Sequence, residues 1–312
     1  MKIAVIGSGA MGSLFGGFLA ESGQDVWLLD NHPERSQTIN KVGLKIEGVS
    51  GKHLIKIKST TEASQVGTVG LALVFVKSYD TARAVSGASK VIGDETVVLT
   101  LQNGLGNAER IRSLVGSSKV IAGTTSQGAT VLGPGHIRHA GMGDTVIGQL
   151  DGKITKRLED ICGVFNSAKI PTRISDNVEG LIWNKLLVNV GINALTAITK
   201  LPNGKLLDYP ETRELLRLVV QEGLRVAKAK NIKIDYKDPV AETESVCKKT
   251  ASNISSMLQD VLRKKHTEID YINGAICAQG DRLGIPAPIN KALTFLIKAI
   301  EASYNRTVQL RV

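Results

Sequence analysis

The chain has 312 residues, of which 42% are hydrophobic and 22% charged, the composition of an ordinary globular protein. This excludes a disordered, collagen-like or coiled-coil chain, and the length predicts two domains. Lysine and arginine number 39 and aspartate and glutamate 29, so the formal net charge is +10. Such an excess favours anionic partners such as phosphates, CoA-like molecules or nucleic acid, without choosing among them.

Cysteine usage and hydropathy indicate the compartment. The three cysteines are widely separated and form no C-x-x-C pair, so the sequence predicts neither a disulfide framework nor a metal site. An apolar stretch follows Lys2 as in a secretory signal, but Gly7, Gly9 and Gly12 interrupt it and no convincing cleavage site follows. No segment has the roughly 18 uninterrupted apolar residues that span a bilayer. We therefore expect a cytoplasmic protein without a membrane partner.

The N-terminal half alternates between strands and helices. Residues 2–6 form a β-branched run, an apolar helical pattern continues to Gly23, and Val26–Leu29 predicts a second strand, so the chain opens with a βαβ unit. Three further strands and two helices are predicted at 71–76, 96–101, 119–122, 79–90 and 106–115. This alternation is typical of an open parallel sheet with helices on its faces.

The pattern changes after residue 128. Over about 128–148, short apolar runs separated by glycine and proline predict short strands joined by tight turns, an antiparallel extension of the sheet. A helix near 154–166 and a strand near 171–174 close the first domain, predicted to span 1–175. Helical periodicities follow at about 178–199, 211–230, 238–262 and 264–282. The fold class is thus an N-terminal α/β domain followed by an all-α domain over 176–312.

A glycine-rich turn follows the first strand. Its G-x-G-x-x-G pattern, between a strand and a helix, comprises Gly7, Ser8, Gly9, Ala10, Met11 and Gly12. In this context the first glycine allows a tight turn, the second lets a pyrophosphate approach the backbone, and the third lets the helix pack on the strand. The alternative is a turn without a ligand, but a second marker follows at the expected distance of about 20 residues. The first domain is therefore predicted to be a Rossmann-type dinucleotide-binding domain.

The second marker is Asp30, at the end of the second strand. A carboxylate at this point bonds the ribose 2′-hydroxyl and repels a 2′-phosphate, which favours NAD. Asn31, His32 and Arg35 could still accept a 2′-phosphate if Asp30 turns away, and Asp30 could also merely end the strand. On their own, these residues favour NAD slightly over NADP.

The first long helix of the second domain carries a polar stripe. Lys185, Asn189 and Asn193 are four residues apart and therefore lie on one helix face. The rest of the helix is apolar, which predicts burial on all sides, and a buried ammonium or amide without partners costs roughly several kcal/mol. Such a stripe is typical of a ligand site. The alternative is a solvated face or a satisfied polar network between helices.

Further candidates rest on position alone. The segment Gln-Asn-Gly at 102–104 follows the carboxyl end of a predicted parallel strand, where ligands bind in such sheets, and Lys77 is placed similarly. Each is equally interpretable as a turn residue. Ser256 and Glu268 lie in polar clusters of the second domain. Because Glu268 follows the basic residues 264–266, its plain interpretation is a charged, solvated helix start.

With these residues identified, nearly the whole chain resembles the ketopantoate reductase family (2-dehydropantoate 2-reductase). The shared features include the glycine pattern, Lys77, Gln-Asn-Gly, Trp-Asn-Lys and Asn-x-Leu-Thr-Ala-Ile. The most specific are Ser-Ser-Met-Leu-Gln-Asp and Thr-Glu-Ile-Asp-Tyr-Ile-Asn-Gly. The resemblance implies NADPH-dependent reduction of a small 2-keto acid, 2-dehydropantoate, to pantoate, a step of pantothenate and hence CoA synthesis.

The resemblance also implies roles for single residues. Lys185 corresponds to the catalytic lysine and Glu268 to its acidic partner. Three residues correspond to substrate-holding positions: Asn189, Asn193 and Ser256. Asn103 corresponds to a residue at the junction of cofactor and substrate, and Lys77 to one near the nicotinamide ribose.

One departure concerns the cofactor. The family commonly has a basic residue just after the second strand, which holds the 2′-phosphate, whereas this chain has Asp30 and Asn31. NADP is therefore the expectation from the family, and NAD is the alternative from Asp30.

Three rival functions stay open at this stage. A dehydrogenase acting on another branched 2-keto acid shares the fold and differs in its specificity constants. A dinucleotide-binding regulator would sense the cofactor without turnover, but the polar stripe argues against it. Nucleic-acid binding has only the net charge in its favour, because no recognisable motif accompanies it. We expect a small-molecule substrate and no nucleic-acid partner, and a homodimer remains open.

Overall fold

The structure is a computed structural model that describes residues 1–306. The chain divides into two compact units. Unit 1 comprises Met1–Gln102 and Gly106–Val178, and unit 2 comprises Asn103–Leu105 and the chain from Glu179 onward. The short segment Asn103–Leu105 thus belongs to the second unit although the first surrounds it in sequence.

Unit 1 alternates between strands and helices, as predicted. Its strands are β1 (Lys2–Ile6), β2 (Asp25–Leu29), β3 (Leu44–Gly48), β4 (His53–Ile55), β5 (Lys58–Thr60), β6 (Leu71–Val74), β7 (Val97–Thr100), β8 (Val120–Thr125), β9 (Gly128–Gly133), β10 (His136–Gly141), β11 (Thr145–Gly148) and β12 (Thr172–Ile174). Its α-helices are α1 (Ala10–Glu21), α2 (Pro33–Val42), α3 (Ala63–Val66), α4 (Thr81–Gly87), α5 (Asn107–Val115) and α6 (Lys156–Ser167).

The main sheet has eight strands in the order β12-β11-β8-β7-β6-β1-β2-β5. Neighbouring strands are parallel except for β8 and β11. Central β1 pairs with β2 on one side and β6 on the other, and Ile6 lies opposite Leu29 and Val74. The loops that follow these three residues therefore leave the same edge of the sheet, at the point where the strand order reverses.

A second sheet corrects the predicted antiparallel extension. It has four strands in the order β4-β3-β10-β9, in which β9 and β10 form an antiparallel pair and β10 is parallel to β3. Of the segment 128–148, only β11 joins the main sheet. No element was predicted for 33–60, which forms α2, β3, β4 and β5. The strands β3, β4 and β5 lack the continuous apolar runs that mark β1, β2, β6 and β7, and the partner of β3 is about 90 residues away in sequence.

Helix α1 packs against both sheets through two adjacent glycines. A Cβ on Gly16 would lie 2.6 Å from Leu28 Cδ2 in the main sheet. A Cβ on Gly17 would lie 2.8 Å from Ile46 Cδ1 in the second sheet. Any larger side chain would push the helix away from one of the two sheets. The close packing therefore fixes the N-terminus of α1 at the edge where β1 ends.

Unit 2 is helical, as predicted. Its α-helices are α7 (Val178–Thr199), α8 (Pro210–Ala229), α9 (Pro239–Lys249), α10 (Ser256–Leu262), α11 (Asn273–Leu283) and α12 (Pro288–Ser303). The helices predicted at 178–199 and 211–230 are confirmed to within one residue. Helix α7 is long and apolar enough to cross a membrane, and 72% of its most apolar window is buried, as expected for a core helix.

The helices of unit 2 differ from the prediction in three ways. The pattern over 238–262 is two helices, because residues 250–255 leave the helix and Ser255 caps α10 by accepting a hydrogen bond from the Leu258 amide at 3.1 Å. The helix predicted at 264–282 begins only at Asn273, and a 3-10 turn at Ile269–Tyr271 precedes it. Helix α12 was not predicted. Polar residues that compete for backbone hydrogen bonds explain the break in the first pattern.

Candidate active site

The three glycines of the loop after β1 serve different purposes. Gly7 has a φ of +96°, which favours glycine, and a Cβ on Gly12 would lie 2.0 Å from Gly7 O. The fold itself therefore requires both residues. A Cβ on Gly9, by contrast, would meet no atom of residues 1–306 within 4 Å. The open space at Gly9 fits a ligand that approaches the backbone, as a pyrophosphate does in this type of loop.

The loop leads directly into α1, which begins at Ala10 and continues through Met11. The N-cap residue is Gly9, no described side chain caps the helix, and its first turn contains no acidic residue. The first amide groups of an α-helix have no intrahelical partner, and the helix dipole adds positive potential there. This end of α1 is therefore suited to an anionic phosphate group.

The carboxylate of Asp30 is buried at the end of β2, and its side chain is 3% exposed. Its Oδ2 accepts hydrogen bonds from the amide of Ser8 at 3.1 Å, from the Ser8 hydroxyl, and from Arg35 Nη1 at 2.5 Å. Its Oδ1 accepts one from the His32 amide at 2.9 Å. Burial alone would raise the pKa of this carboxyl, but Ser8, Arg35 and His32 together lower it. Asp30 is thus an ionised carboxylate held by the glycine loop and α2, and Asn31 beside it is exposed.

Hydrogen-bonded side chains connect the loops after β6 and β7. Gln102 Nε2 donates to the main-chain carbonyl before Lys77 at 2.7 Å and to Thr81 Oγ1 at 2.8 Å. Thr81 Oγ1 donates to Asn107 Oδ1 at 3.1 Å, and Asn107 Nδ2 donates to Ser78 Oγ at 3.1 Å. This network fixes half-buried Lys77 at the carboxyl end of β6.

Helix α7 holds Lys185 among apolar core residues, and the lysine itself is half-buried. Burial lowers the pKa of Lys185 to about 8, although the charge of Glu268 opposes this shift. The preceding residue, Asn184, is buried and pairs with Asp235 through Nδ2 to Oδ2 at 3.2 Å and through the Asp235 amide to Oδ1 at 3.3 Å. This pairing joins α7, at the residue before Lys185, to the segment that follows α8.

Glu268 is buried, with 7% of its surface exposed. The interpretation of this residue as part of a solvated helix start is therefore wrong. Lys264 and Lys265 just before it are exposed, but the chain then turns inward. The amide of Thr267 donates to Glu301 Oε1 at 2.8 Å, which anchors the segment. Within unit 2 the charge of Glu268 therefore acts on the buried end of Lys185 and opposes the effect of burial on its pKa.

The remaining residues predicted to bind substrate occupy different environments in unit 2. Asn189 is half-buried and Asn193 is buried, both on α7. Ser256 is exposed at the first position of α10. Its neighbour Ser255 accepts a hydrogen bond from Thr196 Oγ1 at 2.7 Å, so the start of α10 is joined to α7 next to the polar stripe.

The segment that carries Asn103 is attached to the segment that carries Glu268. The Leu105 amide donates to Tyr271 O at 2.9 Å. Gly104 has a φ of +82°, and a Cβ on it would lie 2.4 Å from the same carbonyl oxygen. The glycine of Gln-Asn-Gly is thus required for close packing. This contact places Asn103 in the same unit as Lys185 and Glu268.

A buried polar network joins α8, α11 and α12 to α7, and the sequence pattern predicts little of it. Glu222 of α8 is 2% exposed and accepts hydrogen bonds from the amides of Ile289 and Asn290, at 3.0 and 2.9 Å, and from Asn290 Nδ2 at 2.8 Å. Asn273 Nδ2 donates to Asn290 Oδ1 at 3.0 Å and to Val190 O of α7 at 3.3 Å. The one available signal was a glutamate on the apolar face of α8.

Comparison with known proteins follows the same division of the chain. Residues 3–152 match the family model described as "Ketopantoate reductase PanE/ApbA", and residues 177–301 match its C-terminal counterpart. A 2-dehydropantoate 2-reductase from Pyrococcus abyssi is 38% identical over 302 residues, which cover 97% of this chain and 98% of that protein.

Solved structures agree. A PanE/ApbA family ketopantoate reductase from Ralstonia eutropha JMP134 superposes with a TM-score of 0.92 at 36% identity, covering 98% of this chain and 100% of that one. A ternary structure of D-mandelate dehydrogenase with NADH and anilino(oxo)acetate gives a TM-score of 0.91 at 30% identity, with the same coverage. Together with the family models, these similarities show that the chain belongs to the ketopantoate reductase family.

Proposed function

We propose that this protein reduces 2-dehydropantoate to pantoate by hydride transfer from a reduced nicotinamide nucleotide. The observation that carries the proposal is the pairing of half-buried Lys185, whose pKa is lowered to about 8, with buried Glu268 in a chain that has a dinucleotide-binding loop. Family membership supports the reaction and, through it, a place in pantothenate synthesis. We assign cofactor binding to residues 1–175 and substrate binding to residues 176–312, in a cytoplasmic enzyme.

The cofactor is held by unit 1 in this proposal. The loop Gly7–Gly12 and the N-terminus of α1 hold the pyrophosphate, because the first amides of an α-helix have no intrahelical partner and the space at Gly9 is open. Asp30 and Asn31 lie where the adenosine ribose binds in such domains. Lys77 is assigned to the nicotinamide ribose, and Asn103, which belongs to unit 2, to the junction of cofactor and substrate; both roles rest on the family resemblance. When bound, the nicotinamide supplies a hydride to the carbonyl carbon of the substrate.

Lys185 provides the proton. As the ketone is reduced, negative charge builds on the carbonyl oxygen, and an ammonium beside it both stabilises that charge and donates a proton. A pKa of about 8 suits this task, because the group is protonated at neutral pH and releases its proton more readily than an exposed lysine. Glu268 favours the charged form of Lys185 and so helps to keep the lysine protonated before the reaction.

Substrate orientation is assigned to the neutral polar residues of unit 2. Asn189 and Asn193 present amide groups on the face of α7 that carries Lys185. Ser256 lies at the start of α10, which the bond between Thr196 and Ser255 ties to α7. Amide and hydroxyl groups recognise a carboxylate and a hydroxyl without adding charge, which suits a hydroxylated 2-keto acid.

A second candidate function is favoured by the similarity to D-mandelate dehydrogenase. That enzyme acts on the same chemical unit, a 2-hydroxy acid and its 2-keto acid, so the hydride and proton chemistry at Lys185 would be unchanged. The difference lies in the side group of the substrate. An enzyme built to bond the hydroxyl of 2-dehydropantoate rejects analogues that lack it, whereas a wholly apolar pocket does not.

Initial rates test both candidates. Specificity constants are measured for 2-dehydropantoate, 2-ketoisovalerate and phenylglyoxylate, each with NADPH and with NADH at matched concentrations, by absorbance of the reduced nicotinamide. We expect 2-dehydropantoate to exceed 2-ketoisovalerate by about 10²-fold or more, because the analogue leaves polar groups of the site unpaired. A preference for phenylglyoxylate would replace the proposed function with the second candidate. Absence of turnover with all three would overturn both.

A further inference from the structure

The side chain of Arg35 contacts both the glycine loop and the carboxylate of Asp30. It extends from α2, and its Nη1 donates to Asp30 Oδ2 at 2.5 Å and to Ser8 O at 3.4 Å. The arginine side chain is 23% exposed, whereas that of Asp30 is 3% exposed. The negative charge at this ribose position is therefore paired with a cation that itself reaches solvent.

The two oxygens of Asp30 are used unequally. A carboxylate offers about four acceptor positions. Among the described residues, Oδ2 accepts from the Ser8 amide, the Ser8 hydroxyl and Arg35, whereas Oδ1 accepts from the His32 amide alone. Oδ1 thus retains capacity for one further donor, such as a ribose 2′-hydroxyl.

Arg35 also has donors in reserve. Its hydrogen bonds to the described residues both run through Nη1, and a guanidinium carries five N–H groups. A planar guanidinium binds phosphate well, in a bidentate arrangement. If Arg35 turned to a phosphate, Asp30 would keep its hydrogen bonds from Ser8 and His32, so the buried carboxylate would not lose all of its partners.

We propose that Asp30 and Arg35 form a paired selector that admits both forms of the dinucleotide, with Arg35 as the residue that accepts the 2′-phosphate. Asp30 Oδ1 accepts a hydrogen bond from the ribose 2′-hydroxyl of the unphosphorylated dinucleotide. Arg35 screens Asp30 and contacts the phosphate of the phosphorylated form. The basic residue usual in the family just after the second strand is thus replaced in this chain by an arginine in the first turn of α2. The inference rests on the proposed function only in assuming that the loop binds a dinucleotide.

Fragments of the dinucleotide that lack the nicotinamide bind without being oxidised or reduced, so they test binding at Asp30 and Arg35 independently of turnover. ADP-ribose and 2′-phospho-ADP-ribose are titrated into the full-length protein by calorimetry, and the ratio of their Kd values is measured. We expect the wild-type ratio to lie within about tenfold of one. In Arg35→Gln, the Kd of the phosphorylated ligand is expected to rise about 10- to 100-fold, the range for a lost hydrogen bond to a charged group, and that of ADP-ribose by less than about threefold.

Two further variants distinguish a specific effect on ligand binding from a general loss of folding. Arg35→Lys keeps the charge and should recover part of the affinity for the phosphorylated ligand. Asp30→Asn removes the carboxylate charge and should shift the ratio toward that ligand by about tenfold. The matched control is Arg157→Gln, which breaks an exposed ion pair to Glu95 (2.6 Å) in the same unit and should leave the ratio unchanged.

Several outcomes would overturn the paired selector. These are a wild-type ratio beyond about 100-fold in either direction, an unchanged ratio in Arg35→Gln, and an equal loss of both ligands in that variant. If both ligands bind as expected but 2-dehydropantoate is not reduced, the proposed function fails and the selector stands. If neither ligand binds to the folded wild-type protein, the selector fails together with the dinucleotide assignment.

Discussion

The glycine loop of unit 1 and the surroundings of α7 in unit 2 present chemistry in opposite ways. The loop consists of six consecutive residues. Its chemistry lies in the backbone amides and in the space left open because Gly9 has no side chain. Around α7 the chemistry lies in side chains from distant segments, Lys185 and Glu268 among them, and further buried polar groups hold them in place. Damage to the loop should therefore impair nucleotide binding, whereas damage around α7 should impair the chemical step or the packing that supports it.

Replacing Lys185 breaks the chemical step most directly. We expect Lys185→Ala to lower kcat by about 10²- to 10⁴-fold, because the proton donor is lost. Nucleotide affinity, measured separately by calorimetry with ADP-ribose, should change little, because the loop lies in unit 1. The control is Lys205→Ala, which removes an exposed lysine paired with Asp208 at 2.6 Å. A kcat for Lys185→Ala within about threefold of wild type would remove Lys185 from the mechanism.

The loop is tested by adding one methyl group at two glycines. In Gly12→Ala the new Cβ would lie 2.0 Å from Gly7 O, a backbone atom that cannot move aside alone. The free energy of unfolding should fall by about 3 kcal/mol. In Gly9→Ala the Cβ has no neighbour within 4 Å in the described part of the chain, so stability should change by less than about 0.5 kcal/mol while ADP-ribose affinity falls. Urea midpoints check the first expectation and calorimetry the second. Equal stability losses at both positions would contradict this division of roles.

Disrupting the polar network of Glu222, Asn273 and Asn290 should lower the free energy of unfolding more than it affects the chemical step. In Asn290→Ala, Glu222 loses its side-chain donor and Asn273 loses an acceptor, so buried polar groups are left unsatisfied. We expect a loss of about 2–3 kcal/mol in the free energy of unfolding. Lys291→Ala, on the exposed side of the same helix, should cost less than about 0.5 kcal/mol. Similar denaturation midpoints for the two variants would show that the network carries little stability.

The same contrast explains what could be predicted from the sequence. The strand, glycine loop and first helix follow from local spacing, and so does the polar stripe on α7. Burial of Glu268 and the Glu222–Asn290 pairing depend on contacts between segments tens of residues apart, which local periodicity does not encode. The second sheet was missed for the same reason, since β3 pairs with β10 across most of unit 1. For Asp30, the sequence predicted the carboxylate but not the partners that neutralise its charge.

The pH profile is the smallest effect and tests Lys185 and Glu268 together. In reduction the active form of Lys185 is the protonated one, and burial lowers its pKa to about 8. kcat/KM for reduction should therefore be constant below about pH 8 and fall about tenfold per pH unit above it. The reverse oxidation of pantoate needs the neutral amine as base, so its kcat/KM should rise up to about pH 8 and then level off.

Replacing Glu268 then reveals the direction of the coupling. Glu268 raises the pKa of Lys185 against the effect of burial. In Glu268→Gln the opposing charge is gone, so the midpoint of the reduction profile should move to lower pH, and at neutral pH less of the lysine would be protonated. Full profiles of kcat/KM in both directions check this, because they report groups of the free enzyme. A wild-type midpoint near the ordinary lysine value, or an upward shift in Glu268→Gln, would mean that another group supplies the proton.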